Sequence, residues 1–291
     1  MRAVAQKERW TVLKVLRWTT EFFQKKGLRS PRLDAEVLLA YLLGTDRVGL
    51  YLDHDKPLKE EELAAFREMI QRRIAGEPVA YITGEKEFWS LSFKVTPACL
   101  IPRPETEVLV EEAIRAAADA PHPLRILDIG TGCGAVAIAL AKELAESEVW
   151  ATDRSPYALE VAKENVERHG VGERVRLVEA DLFPKDEGQF SLIVSNPPYI
   201  PTEEVLRLDP EVRDYEPLEA LDGGPDGLKY LRRIAEGAPL RLRPGGWLLL
   251  EVGKGQAEEV QRILVGEGFS PVETVRDYTG VKRVVKGRWR E

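Results

Sequence analysis

Short apolar segments alternate with amphipathic segments from residue 124 onward, and this alternation limits the fold more than any other feature of the sequence. Near-continuous apolar segments are typical of strands buried on both faces of a parallel sheet, and the longer segments between them have helical spacing. The predicted strands are 124–130, 148–153, 175–181, 190–196 and 247–253. The predicted helices lie at about 134–145, 156–169, 226–242 and 256–267. The sequence therefore predicts an α/β fold with a mostly parallel sheet covered by helices.

The C-terminal end departs from this alternation. Two strand-like segments, 270–277 and 281–289, are separated by too few residues for a helix. Strands joined by so short a connection pair antiparallel. We therefore predict a terminal hairpin that adds one antiparallel strand at the edge of the sheet.

The first 76 residues carry three helical patterns with recognisable ends. The first covers 8–27 and stops at a glycine; the second begins with Ser30 as N-cap and Pro31 at the first helical position. The third, 59–76, has acidic residues in its first turn and arginines in its last. We predict a helical bundle over residues 1–76 with four aromatic residues in its core: Trp10, Trp18, Phe22 and Phe23.

Residues 79–100 change to β-branched and aromatic types, with Gly84 near the first turn, and we assign 77–101 to this segment. This composition predicts a β-hairpin linker between the bundle and the α/β domain. The α/β domain then covers 102–291. It starts with a proline-punctuated loop and a helix from about Glu105.

Cysteine and histidine are scarce. Cys99 and Cys133 are the two cysteines, and they do not combine with His54, His122 or His169 at the spacing of metal ligands. We expect no disulfide framework and no metal site, which fits a reducing cytoplasm. No apolar run approaches the roughly 18 residues of a membrane span, and charges interrupt the N-terminal segment, so we expect neither a span nor a signal peptide.

Charge is unevenly distributed along the chain. The total net charge is −7, but residues 1–76 contain 15 Lys and Arg against 11 Asp and Glu, a net +4, which leaves −11 for 77–291. A dedicated duplex-DNA binder depends on neutralising phosphates, and an acidic main body does not suit it. We expect no sequence-specific nucleic-acid partner.

A glycine-rich turn follows the first predicted strand of the sheet. Gly130, Gly132 and Gly134 form G-x-G-x-G between a strand and a helix, and Asp153 ends the next strand. Glycines permit a tight turn and a close approach of backbone to ligand, and a carboxylate after the second strand accepts hydrogen bonds from ribose hydroxyls. The combination predicts a nucleotide-type ligand.

Asp128, just before this turn, indicates which kind of nucleotide-type ligand binds there. A carboxylate beside a pyrophosphate would repel it, whereas it suits a ligand that carries an ammonium or sulfonium group. The sixth motif position is Ala135, where a dinucleotide site has glycine. We therefore favour S-adenosylmethionine over a dinucleotide, although Asp128 also fits as a cap for the following turn.

Asp181 and Leu182 lie at the end of the third predicted strand. Ligands of open α/β sheets bind at the carboxyl ends of the strands. Asp181 is therefore placed to accept a hydrogen bond from an adenine amino group, and Leu182 to offer backbone and apolar contact. A helix or turn cap is the alternative role of Asp181.

The fourth predicted strand ends in SNPPYIP, residues 195–201. Two successive prolines remove two backbone donors and fix two φ angles, so a rigid turn is expected. Such a turn holds in place the Asn196 side-chain oxygen and the Pro197 carbonyl, which accept the hydrogens of a substrate nitrogen, with Pro198 stiffening the turn. Tyr199 can stack on a planar amide. A rigid exit from the strand without further role is the alternative.

The chain resembles the HemK/PrmC family, which belongs to the class I S-adenosylmethionine-dependent methyltransferases. The segments that carry the resemblance, in chain order, are AYITGEKEF, IPRPETEVLVE, DIGTGCGAVAIALA, SNPPYI, EPLEALDGGPDGL and VETVRDYTGVKR. Together they extend over essentially the whole chain. That family methylates the glutamine of the Gly-Gly-Gln motif in peptide-chain release factors, so the resemblance implies a Rossmann-like domain, this activity and release factors as partners.

The resemblance also implies site residues. Those implied for the cofactor are Gly130, Thr131, Gly132, Cys133, Gly134, Asp153, Leu182 and Asn196. Those implied for the substrate glutamine are Asn196, Pro197, Pro198 and Tyr199. Arg103, Thr106 and Glu107 belong to a motif near the cleft without assigned roles. Leu182 stands where some members carry an aromatic residue, so the resemblance implies no stacking there.

Two other functions remain open at the level of sequence. A nucleic-acid amino methyltransferase, acting on DNA adenine or rRNA guanine, can use the same N-P-P-Y arrangement, but one that acts on DNA needs base flipping and a basic channel. A cofactor-binding regulatory protein would need the glycine turn alone. The segment 216–228 is either a lid-like flap or a simple loop.

Overall fold

A computed structural model describes residues 9–185 and 188–290 of the chain. These residues form two compact units, which divide between Gly84 and Glu85. The first eight residues of the predicted bundle and the last residue of the predicted α/β domain lie outside the described residues. The first unit ends eight residues later than the bundle predicted over 1–76.

Five helices build the described part of the first unit: α1 (Val12–Lys25), α2 (Pro31–Leu43), α3 (Arg47–Leu52), α4 (Glu60–Ile74) and α5 (Val79–Thr83). The three longer ones are the predicted helices. Their shared core contains Leu16 and Phe23 of α1, Leu38 of α2, and Phe66 and Ile70 of α4.

The prediction that Trp10 and Trp18 lie in this core is wrong. Their side chains are 39% and 48% exposed, whereas Phe23 is fully buried. Helical spacing explains the difference, because Val12, Leu16 and Phe23 share one face of α1. Trp18 lies on the adjacent face, where it stacks on Phe22 at 5.1 Å between ring centroids.

The predicted β-hairpin linker is wrong over residues 79–83, because these residues form α5. The Pro78 carbonyl accepts hydrogen bonds from the N–H groups of Tyr81 and Ile82, which closes a helical turn. Gly84, with φ of 72°, ends the turn. The hairpin is therefore shorter than predicted, with β1 (Glu85–Phe88) paired antiparallel to β2 (Leu91–Lys94).

The second unit is built on a seven-stranded sheet of order β5-β4-β3-β6-β7-β9-β8. Its strands are β3 (Arg125–Ile129), β4 (Glu148–Asp153), β5 (Val175–Glu179), β6 (Phe190–Ser195), β7 (Leu242–Glu251), β8 (Val272–Arg276) and β9 (Lys282–Arg288). The first five are parallel, as predicted. The helices are α6 (Glu107–Ala117), α7 (Ala135–Glu143), α8 (Pro156–Arg168), α9 (Thr202–Val205), α10 (Pro210–Arg213), α11 (Lys229–Gly237) and α12 (Ala257–Gly266).

The C-terminal hairpin is confirmed, but its antiparallel strand does not form the edge of the sheet. β9 pairs antiparallel with both β7 and β8, and β8 is the edge strand. Val284 and Val285 of β9 are fully buried, which is consistent with the position of β9 between two other strands. β8 carries no fully buried residue and tolerates the edge.

The order of the strands creates a crevice at the carboxyl ends of β3 and β6. The chain moves from β3 through β4 to β5 on one side, then returns to β6 and β7 on the other. Ligands of open α/β sheets bind at such a switch point. Ile129 and Ser195 pair directly here, so the segments that follow them, the glycine turn and SNPPYIP, start side by side.

Candidate functional site

The glycine turn begins directly after β3. Gly130, Gly132 and Gly134 all have positive φ, at 74°, 57° and 85°, so other residues would be strained at each position. The N–H groups of Gly130 and Thr131 donate to the Thr152 carbonyl of β4, which ties the turn to the neighbouring strand. The turn is therefore a fixed element of the crevice.

Two carboxylates hold this turn from opposite sides. Asp153 accepts from the N–H of Gly132 at 2.9 Å and, through its other oxygen, from the N–H of Ser155. Asp128 is 1% exposed and accepts from the Thr131 hydroxyl at 2.7 Å. Burial raises the pKa of Asp128 to about 7, while the hydrogen bonds from Thr131 and from the backbone of Ala137 act in the opposite direction. Asp128 thus caps the turn.

The end of β5 is braced by Thr152. Leu182 has φ of 74°, unusual for a residue with a side chain, and its carbonyl accepts from the Thr152 hydroxyl at 2.7 Å. Asp181 forms an ion pair with Arg233 of α11 at 2.8 Å, which lowers the pKa of the carboxyl. A backbone held in a strained conformation at a cleft points to a functional constraint.

A single cleft brings most of the predicted site residues together. Its empty volume is about 830 Å³, part of it open to solvent. The predicted residues that line it are Gly130, Gly132, Asp153, Asp181, Leu182, Asn196, Pro197 and Pro198. Thr131 and Cys133 instead line a smaller adjacent cavity, and both are buried. Gly134 is the residue before α7.

The segment after β6 is held by hydrogen bonds from several directions. The Asn196 side-chain nitrogen Nδ2 donates to Thr106 Oγ1 at 3.0 Å. The Tyr199 carbonyl accepts from Gln256 Nε2 at 2.8 Å, and its hydroxyl donates to Glu251 Oε1 at 3.3 Å. Burial raises the pKa of Tyr199, so this hydroxyl remains protonated. Stacking of Tyr199 on a substrate stays a prediction.

Residues 216–228 pack against SNPPYIP as a brace. Ile200 exchanges two backbone hydrogen bonds with this segment, donating to Leu221 and accepting from Gly223. A Cβ at Gly223 would lie 2.8 Å from the Pro198 carbonyl oxygen and from the Tyr199 Cα. The segment requires glycine here because two backbones touch, and it packs against SNPPYIP in this structure.

The structure gives Arg103, Thr106 and Glu107 of the R-P-E-T-E motif one partner each. Arg103 forms an ion pair with the buried Glu216 at 2.5 Å, which ties the motif to the brace. Thr106 accepts from Asn196. Glu107 accepts from the N–H of Trp89 at 2.9 Å, at the turn between β1 and β2.

Glu251, at the end of β7, is a residue of the site that the sequence did not predict. Its side chain is fully buried, and burial raises its pKa to about 7 against the hydrogen bonds of Thr106 and Tyr199 and the charge of Arg283. Within the described residues, its oxygen Oε2 has no hydrogen-bond partner. The available signal was a single carboxylate ending the apolar run WLLLE.

The cleft fits a nucleotide-like cofactor. A Cβ built at Gly130 or Gly132 would meet no protein atom within 4 Å, so the space in front of the turn is free for a ligand to approach the backbone. Asp153 and Asp181 stand at the ends of neighbouring strands, and a carboxylate oxygen can accept more than one hydrogen bond. Within the described part of the chain, His, Cys, Asp and Glu side chains form no group that could hold a metal ion.

Comparisons with known proteins identify relatives over nearly the full chain. The family "PrmC N-terminal domain" matches residues 14–84, and "Methyltransferase small domain" matches residues 105–207. The release factor glutamine methyltransferase of Geobacter sulfurreducens is 52% identical over 97% of this chain and 98% of its own length. That of Rhodopirellula baltica is 44% identical over 95% of each chain.

A solved structure supports the fold alone. The methyltransferase from Pyrococcus furiosus superposes with a TM-score of 0.53 at 21% identity, covering 80% of this chain and 100% of its own. Within residues 9–185 and 188–290, no helix is both long and apolar enough to cross a bilayer.

Proposed function

The chain belongs to the release factor glutamine methyltransferase family, and we propose that it transfers a methyl group from S-adenosylmethionine to the side-chain amide nitrogen of the glutamine in the Gly-Gly-Gln motif of release factors. The observation that carries the proposal is the position of Asn196. This amide stands at the end of β6, beside the glycine turn, in a segment held by Thr106 and the brace. A cofactor-binding protein without catalysis would not need such a segment.

The chain's own residues would hold the cofactor at the ends of β3, β4 and β5. The backbone at Gly130 and Gly132 would lie against it, Asp153 would accept from its ribose, and Asp181 and Leu182 would contact its adenine. When bound, S-adenosylmethionine supplies an electrophilic methyl group on a sulfonium. Support for this assignment comes from the open space in front of the glycine turn.

Asn196 and Pro197 would orient the substrate amide. An amide nitrogen is a poor nucleophile because its lone pair is delocalised into the carbonyl. The Asn196 oxygen Oδ1 and the Pro197 carbonyl would accept its two hydrogens and turn the lone pair toward the methyl donor. Proximity and preorganised acceptors then account for the rate, with no covalent enzyme intermediate.

The first unit would recognise the release factor. Its net positive charge differs from the acidic α/β unit, and it exposes Trp10 and Trp18 on one face. Aromatic residues are enriched at protein–protein interfaces because they bury large areas at low entropic cost. The positive charge and the exposed tryptophans support this role. The α/β domain, residues 102–291, would carry out the methyl transfer.

The test uses labelled S-adenosylmethionine with a release factor that carries either glutamine or alanine in its Gly-Gly-Gln motif. We expect label in the glutamine protein only. Equal labelling of both would refute the assignment. Label in DNA or rRNA, with none in the factor, would establish the nucleic-acid amino methyltransferase instead.

A further inference from the structure

Two parts of the cleft wall follow strands of different sheets. The glycine turn follows β3 of the seven-stranded sheet, whereas residues 95–100, called the wall loop from here on, follow β2 of the hairpin. Cys99 and Leu100 of the wall loop line the same cleft as Gly130. The described strands form the two sheets separately, so the distance across the cleft has to be held by contacts other than strand pairing.

Asn165 of α8 connects these two parts, and its side chain is fully buried. Its oxygen Oδ1 accepts from the N–H of Lys94 at 2.7 Å, and its nitrogen Nδ2 donates to the Lys94 carbonyl at 2.9 Å. The same nitrogen donates to the Cys133 carbonyl, also at 2.9 Å. Lys94 is the last residue of β2, and the wall loop starts directly after it. Because Cys133 belongs to the glycine turn, one amide holds both parts of the wall.

The three backbone partners of Asn165 determine which way its amide points. A backbone N–H can only donate, and a backbone carbonyl can only accept. The side-chain oxygen must therefore face the Lys94 N–H, and the nitrogen must face the two carbonyls. This arrangement uses both hydrogens of the amide nitrogen. An ionised aspartate has neither hydrogen and leucine has no polar group, so the partners select an amide at this position.

The contact with Cys133 fixes the last peptide of the glycine turn. The Cys133 carbonyl and the Gly134 N–H belong to one planar trans peptide unit, so they point in opposite directions. Asn165 holds the carbonyl end, and the Thr131 carbonyl accepts from the Gly134 N–H at 2.9 Å. The peptide is therefore held at both ends. A rotation of this peptide would break both hydrogen bonds and move the backbone of the turn.

Apolar residues already supply the packing of α8. The helix buries four of them beside Asn165: Ala158, Val161, Ala162 and Val166. It also lies directly against the glycine turn, because a Cβ built at Gly134 would be 3.4 Å from the Cβ of Ala162. A buried polar side chain is unfavourable unless it is hydrogen-bonded. The hydrogen bonds of Asn165 all go to the segments that shape the cleft, so these segments account for the amide.

We infer that Asn165 is a positioning residue of the cofactor cleft, which holds the glycine turn and the wall loop at the separation that S-adenosylmethionine needs. A cleft that is shaped before binding loses less free energy to ordering when the cofactor enters. The inference rests on the proposed function for the identity of the ligand. Its geometric part concerns the protein alone, so the two parts need separate measurements.

Amide hydrogen exchange, measured by nuclear magnetic resonance without any ligand, tests the geometric part. In Asn165→Leu, the N–H groups of Lys94 and Gly134 should exchange about tenfold faster than in the wild type, the value of one hydrogen bond. The Gly130 N–H, which donates to the Thr152 carbonyl, is the internal reference and should not change. In Asn165→Asp, the Lys94 N–H should stay slow, because a carboxyl oxygen still accepts from it, and the Gly134 N–H should be faster. Unchanged exchange at Gly134 in both variants would overturn the inference.

Isothermal titration calorimetry with S-adenosylmethionine tests the consequence. Asn165→Leu and Asn165→Asp should each raise the Kd by about tenfold. Single-turnover transfer at saturating cofactor should stay near the wild-type rate, because only binding of the ground state is lost. If Asn165→Leu does not fold, Asn165→Asp, which keeps the hydrogen bond from the Lys94 N–H, serves for both measurements.

Val166→Ala is the matched control, because it shortens a buried apolar side chain of the same helix. It should lower the Tm and leave the Kd for S-adenosylmethionine unchanged. A structural role of Asn165 predicts the same result for the Asn165 variants as for this control. An unchanged Kd in the Asn165 variants, or an equal rise in Val166→Ala, would therefore overturn the inference.

The outcomes separate the inference from the proposed function. If the wild type binds S-adenosylmethionine and methylates the release factor, but the Asn165 variants bind the cofactor as tightly, the inference fails and the function stands. If the wild type does not bind S-adenosylmethionine while Asn165→Leu releases the Gly134 N–H, the proposed function fails and the positioning of the glycine turn by Asn165 stands.

Discussion

Replacing Glu251 by glutamine should stabilise the protein at alkaline pH. The pKa of Glu251 is raised by burial to about 7, so the folded state prefers the neutral form. The groups facing it are Tyr199, Arg283, Glu105 and the Thr106 hydroxyl, and Glu105 adds to the rise. Glutamine keeps the shape of the side chain and carries no charge at any pH.

The size of the effect follows from the pKa. A change from 4.5 in the unfolded chain to about 7 in the folded one corresponds to about 3 kcal/mol. Because the folded pKa is raised, the wild type has this stability below about pH 4.5 and loses it as the pH rises through about 7. The variant has no such loss at this position. Its advantage in unfolding free energy should therefore be near zero at pH 4.5 and about 3 kcal/mol at pH 8.5.

Urea unfolding at several pH values, compared between wild type and Glu251→Gln, measures this difference. The comparison cancels the contribution of Asp128, whose pKa is also raised to about 7 by burial, because both proteins contain it. A variant that is less stable than the wild type at pH 8.5, or a difference that does not change with pH, would show that burial does not hold Glu251 in its neutral form.

Three further predictions concern the brace, the substrate grip and the first unit. Gly223→Ala should lower the free energy of unfolding by about 1–3 kcal/mol and slow transfer, because its Cβ would lie 2.8 Å from the Pro198 oxygen. The control is Gly266→Ala in α12, where an added Cβ would meet no atom within 4 Å. Equal effects of the two variants on thermal unfolding and on transfer would contradict the role of the brace. Asn196→Ala should keep cofactor affinity in calorimetry and lose transfer; transfer near the wild-type rate would place the grip elsewhere. Trp18→Ala should raise the KM for the release factor and leave kcat unchanged. Tyr278→Ala, which removes an 84% exposed aromatic residue of the second unit, is the control and should leave the KM unchanged. A KM unaffected by Trp18→Ala would exclude Trp18 from the recognition surface.

Patterns that repeat along the chain were sufficient to predict the sheet. The five apolar segments became β3 to β7 because strands buried on both faces have to be apolar throughout. The glycine turn was equally predictable, since its three positive φ angles favour glycine and the sequence has glycine at all three positions.

Features that depend on contacts between distant segments were not predictable in this way. β9 lies inside the sheet because it pairs with β7, and the sequence pattern of β9 alone does not indicate this pairing. Residues 79–83 have strand-forming side chains, yet hydrogen bonds to the Pro78 carbonyl close a helical turn. Trp18 belongs to an apolar pattern but lies beside the buried face.

The same limit applies to the site. Asn196 was identified from its proline-rich setting, but its hydrogen-bond partner Thr106 lies 90 residues earlier. Glu251, which accepts from the Tyr199 hydroxyl, lies at the end of another strand. Neither stands out locally. Their role emerges only when the fold brings the ends of β6 and β7 to the same edge as the loop before α6.

The most direct test of the account is mass spectrometry of a release factor after incubation with the protein and S-adenosylmethionine. Fragmentation should place one added methyl group on the side-chain nitrogen of the glutamine in the Gly-Gly-Gln motif. The Asn196→Ala protein should leave that glutamine unmodified. An unmodified glutamine after incubation with the wild-type protein, or a methyl group on another residue, would contradict the account.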